Sequence, residues 1–157
     1  MKLINAVILC LAALAAPAFA QEKSADTNMQ ILLDKVKADK KLVVAANMEL
    51  NDAEGKVFWP SYDAYQKELQ AINDRVAKTI LAYADAYNKK ALTDDLAKQL
   101  TNEALAIDQD ELTLRKTYAA KLNGVLPAIK VARYIQIENK IRAAIRYDLA
   151  TGIPLVP

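Results

Sequence analysis

Apolar residues recur along most of the chain with the period of an α-helix, and nowhere with the alternation of a strand. Tyr62, Tyr65, Leu69, Ile72, Val76, Thr79/Ile80, Tyr83 and Ala86/Tyr87 are separated by alternating steps of three and four. That spacing puts them on one helix face, close to a heptad seam. A helix of this length spans about 40 Å and ends at Asn88-Lys89-Lys90, with cations at its negative end. Leu96, Leu100, Ala104, Ile107, Leu114, Tyr118 and Leu122 form a second stripe. Val131, Tyr134/Ile135, Ile141, Ile145 and Leu149 form a third, running to Ala150. Met29, Leu32, Leu33, Val36 and Leu42/Val43 follow helical spacing more loosely and predict a helix from Thr27 or Asn28 to Ala46. Glu111 and Glu138 interrupt two stripes where apolar residues are expected. If both face inward they need cationic or phenolic partners, with Arg115 and Arg142 in reach by spacing.

The boundaries carry their own signals. In Leu50-Asn51-Asp52-Ala53-Glu54, Asn51 is a good N-cap and Glu54 completes a capping box. Pro60 falls inside the pattern that follows and predicts a kink or short break near Lys56–Trp59. Leu92-Thr93 starts the next helix, with Asp94 and Asp95 in its first turn. Asn123-Gly124 reads as its C-terminal stop, and Pro127 as the first position of the last helix. Gly152 and Pro154 end that helix, leaving Ile153–Val156 as an apolar tail that either packs back or joins a partner copy. Only Lys89 to Leu92 separate the two long helices, which forces an antiparallel hairpin. The fold class is all-α: a long antiparallel helical hairpin with an additional helix at each end.

The N-terminal twenty residues read differently. Lys2, the apolar run Ile4–Ala16 and Ala18-Phe19-Ala20 make a secretory signal peptide cleaved after Ala20. The run is too short for a membrane span, so no stable insertion follows cleavage. The expected location is periplasmic or secreted. Residues 21–150 are then one domain and 151–157 a tail. Cys10 has Leu9 before it, which does not make a lipobox, and it is discarded with the leader. The mature chain therefore holds neither Cys nor His, and its stability must come from helix packing.

Composition narrows the chemistry. With 21 basic and 19 acidic residues the totals nearly cancel, which argues against nucleic acid as a partner. Ser24 and Ser61 are the only serines, and no His or Cys exists in the mature chain to activate them. A Glu-x-x-His di-iron site cannot be built. Asp108-Gln109-Asp110-Glu111 is rich in oxygen ligands but lies mid-helix without the glycine of a calcium loop. No enzyme, no metal and no cofactor is expected. Residues 49–111 carry a net −6 and residues 112–149 a net +6. Either the acidic hairpin neutralises the basic last helix, within one chain or across a dimer, or Arg133, Arg142 and Arg146 present a basic face to an acidic partner. Phe58, Tyr62 and Tyr65 share a face, with Trp59 turned away; they are core, or an aromatic site that grips apolar client segments.

Leu50-Asn51-Asp52-Ala53-Glu54, followed by Phe58-Trp59-Pro60-x-Tyr62, and Leu92-Thr93-Asp94-Asp95-Leu96 look like the paired motifs of the Spy/CpxP-like (LTxxQ) family. Leu126-Pro127-Ala128-Ile129-Lys130-Val131-Ala132-Arg133 resembles the segment that opens that family's last helix. The resemblance covers about Asn47 to Ala150. Asn51 stands for Thr, Glu54 for Gln, and Leu96 occupies the second Gln position. The resemblance implies small periplasmic helical proteins acting in envelope stress, ATP-independent chaperoning or metal sensing. Metal sensing fits least, since Met29 and Met48 are the only soft ligands of the mature chain. The expected function is a non-enzymatic periplasmic adaptor or chaperone for unfolded clients, as a homodimer. The alternative is an envelope-stress or metal-stress sensor that binds one specific envelope protein.

Overall fold

The structure is a computed structural model that describes Ile31 and residues 38–157. The expected signal peptide, its expected cleavage site and the expected start of the first helix lie outside the described residues. The described residues form four helices and no strand: α1 (38–48), α2 (Asp52–Asn88), α3 (Asp94–Asn123) and α4 (Ala128–Gly152). The all-α hairpin with a helix at each end is the fold.

α1 buries Val44 and Met48 and stops at Glu49, whose φ of 50° places it in the left-handed region. α4 holds that turn: Lys130 Nζ donates to the Glu49 carbonyl and Arg133 pairs with the Glu49 carboxylate. The capping box at the start of α2 is complete. The Glu54 amide donates to Asn51 Oδ1 at 2.9 Å, and the Asn51 amide donates to Glu54 Oε2 at 3.0 Å. α2 then runs uninterrupted through Pro60, so the expected break is absent. Pro60, the ninth residue of α2, removes one amide from a ladder of 37 residues, and the helix continues on both sides of it.

Thr93 caps α3, its hydroxyl accepting from the Leu96 amide at 3.3 Å. At the other end Gly124 has φ of −76°, so the left-handed stop read from Asn123-Gly124 is not used. The turn is made instead by tight bonds from Gly124 to Lys121 and from Val125 to Leu122. Pro127 is the N-cap of α4 rather than its first residue, and its fixed φ suits either place.

The core sits at one end of the hairpin, where all four helices meet. Phe58, Tyr62 and Tyr65 of α2 face Tyr118 of α3 and Tyr134 of α4, with Val44, Met48, Leu122, Val131 and Ile141 around them. Phe58 and Tyr134 pack edge to face at 5.1 Å, as do Tyr65 and Tyr118 at 5.3 Å. Toward the α2–α3 loop the residues between the helices are mainly aliphatic, Ile80, Leu92 and Leu100 among them, with Thr79, Ala97 and Ala104 between. There the helices are not packed to closure as they are around the aromatic rings. The helices there enclose a groove.

Candidate functional site

The groove lies between α2, α3 and α4 and has a volume of about 430 Å³. Leu69, Val76 and Ile80 of α2, Ile107 of α3, and Ile141, Ile145 and Leu149 of α4 form its apolar walls. Near the aromatic core its end is polar, lined by Lys40, Tyr65, Gln66, Glu111, Arg115 and Glu138. A smaller cavity of about 260 Å³ shares Thr79, Ile80 and Ala104 with it and continues beneath Ile153 and Val156 of the tail. The tail is held there by the Tyr83 hydroxyl, which donates to the Pro154 carbonyl at 3.0 Å. Leu155 beyond it is 90% exposed.

Both glutamates of the stripes face this groove, with partners the spacing does not give. Glu138, the buried charged residue among those described, pairs with Lys40 of α1 at 2.8 Å. The Gln66 amide donates to its other oxygen at 3.1 Å. Arg142, four residues along α4, instead pairs with Glu111 at 3.5 Å, and Arg146 pairs with Glu111 at 3.1 Å and with Asp108. Arg115 donates to Asn139 Oδ1 at 3.1 Å, and its Nε is buried without a partner. The phenol of Tyr65 is pushed up by burial and then by the Glu138 and Glu111 carboxylates, so it stays protonated.

The residues singled out in the sequence divide sharply. Phe58, Tyr62 and Tyr65 are 0–3% exposed, so they are core and out of a client's reach in this conformation. Only Trp59 keeps partial exposure, with Lys41 5.3 Å from its ring centre. Arg133, Arg142 and Arg146 do not form an unpaired basic face, because each meets a carboxylate of Glu49, Glu111 or Asp108. The acidic hairpin thus neutralises the basic helix within one chain. The hydrogen bond to Asp108 raises the Arg146 pKa further and keeps it cationic. Leu50, Asn51, Glu54, Leu92 and Thr93 shape helix starts away from the main groove, although Leu92 lines the smaller cavity.

Asp108, Asp110 and Glu111, the oxygen-rich stretch, turn to Arg146, Arg75 and Arg142. Among the described residues no three His, Cys, Asp or Glu gather as a metal site, and no helix is long and apolar enough to cross a membrane. Lys40, Gln66 and Arg115 were not among the residues the sequence marks for binding. Arg115 sits four positions from Glu111, which was the available signal. Compared with protein-family models, curated proteins and solved structures, the chain has no significant match in any of the three.

Proposed function

We propose that this protein is a non-enzymatic helical binding protein of the cell envelope, an adaptor or chaperone that holds apolar segments of partly unfolded clients. The groove carries this reading. Its apolar walls are framed by charged pairs, which suits reversible capture of apolar side chains while the client backbone stays at the wetter rim. The signal-peptide pattern supports export, and the resemblance to the Spy/CpxP-like family supports a chaperone. The aromatic cluster anchors the frame of the groove and is not itself the gripping surface. A homodimer of such units extends the apolar surface offered to a client.

The test is light scattering of a reduced, aggregating client with the chain from Gln21 onward, over a range of stoichiometries, against an inert helical protein. Suppression near one dimer per client is the expected result. Suppression must weaken in Ile145→Asp, which puts a charge on the groove wall. Unchanged scattering at large excess excludes the reading.

A further inference from the structure

We propose that the same groove is a binding site for a long-chain carboxylate, its head at Arg115 and its alkyl chain running toward the C-terminal tail. The inference rests on the groove being open to a ligand, as the proposed function does, and adds a small amphiphile to what it holds.

Three observations converge on this class. The first is polarity along the groove. Lys40, Gln66, Arg115 and Glu138 line its head, Asn73, Asp108, Arg142 and Arg146 edge its middle beside the apolar walls, and the path onward past Ile80 and Ala104 into the smaller cavity is almost wholly apolar. A polypeptide laid full length there would leave its amides without partners, which a hydrocarbon chain does not. The second is charge. The lining holds four cations and three carboxylates, and each carboxylate already has a cation. Arg115 lines the groove and is the cation whose hydrogen-bond partner among the described residues, Asn139, is neutral. A carboxylate beside its guanidinium cancels the excess charge. The third is size, since about 430 Å³ with a further 260 Å³ beyond lies within the range of small-molecule sites between bundle helices.

The experiment is displacement of a dansyl-labelled undecanoic acid from the chain starting at Gln21, by unlabelled decanoate, dodecanoate and tetradecanoate below their micelle concentrations, and by the matching alcohols. Affinity is expected to rise about fourfold per added methylene while the chain still enters apolar space. Acids are expected to bind at least tenfold better than alcohols, a preference that Arg115→Gln abolishes while alcohol binding persists. Ala104→Trp, which obstructs the passage between the two cavities, is expected to flatten the chain-length dependence. Circular dichroism and thermal melting verify that both variants fold. Absence of probe binding overturns the inference, whether the groove is covered by residues 21–37 or by a second copy. Equal affinity for acids and alcohols with Arg115 intact also overturns it. Light scattering on the same preparation separates the two readings: client protection without acid binding removes this inference alone, and loss of both removes the groove as a site.

Discussion

Lys40 and Glu138 are 98 positions apart in sequence and form a 2.8 Å ion pair that ties α1 to α4. Gln66 of α2 closes the triangle, accepting from Lys40 at 3.0 Å and donating to Glu138 at 3.1 Å. The pair is largely desolvated, with Glu138 6% and Lys40 22% exposed. Removing one member strands the other. Lys40→Met is therefore expected to cost about 3 kcal/mol, and Glu138→Leu a similar amount. The double variant should recover much of that loss, because the apolar pair leaves no stranded charge. Urea unfolding of the four proteins measures the cycle, and strict additivity would exclude the coupling.

Two tyrosines of the core make an opposed pair. The Tyr118 hydroxyl donates to Glu68 Oε1 at 2.6 Å, whereas the Tyr134 hydroxyl is buried near the Glu138 carboxylate without a well-formed hydrogen bond. Tyr118→Phe removes a hydrogen bond to a charged acceptor and should cost about 1.5–3 kcal/mol. Tyr134→Phe removes a hydroxyl whose contact with Glu138 is poorly formed and should cost less than Tyr118→Phe, staying within about 1 kcal/mol of neutral. Denaturant midpoints decide, and equal losses in both variants would contradict the geometry.

The same phenols set the alkaline limb. The hydrogen bond to Glu68, then burial, pushes the Tyr118 pKa up from 10.0 to about 12. Tyr62, Tyr65 and Tyr134 are raised too, by burial first and then by Glu138. Above pH 10 the unfolded phenol of Tyr118 releases its proton while the folded one keeps it. Its contribution is thus complete below pH 10 and lost by about pH 12. Stability should stay level through mild alkali and fall across that window. Tyr118→Phe should make the fall shallower, as followed by urea midpoints at stepped pH.

The helices were legible because their signals are local: period, caps and the short Lys89–Leu92 connection. The groove was not, because its walls come from three helices distant in sequence, and nothing local in Leu69, Ile107 or Ile145 distinguishes a groove wall from a closed core. Glu111 and Glu138 were visible as breaks in apolar stripes. Their partners were not, since neighbours on one helix compete with cations brought from another. Arg142 is near Glu138 by spacing, yet it crosses to α3, and Lys40 takes its place. Local spacing also overstated Pro60, whose effect depends on the packing around it.

Pro60 tests that last point. α2 continues through it, so the Lys56 carbonyl has lost the amide it would receive from any other residue. Proline costs about 3 kcal/mol relative to alanine in a helix interior. Part of that is offset because proline also restricts the unfolded chain, by about 0.4–1 kcal/mol. Pro60 is exposed, so alanine there creates no cavity. Pro60→Ala is therefore expected to stabilise the protein by about 2–2.5 kcal/mol, read as a higher urea midpoint with an unchanged m-value. Loss of stability in Pro60→Ala would mean that proline fixes the path of α2 against the aromatic core, with Phe58 and Tyr62 on either side of it.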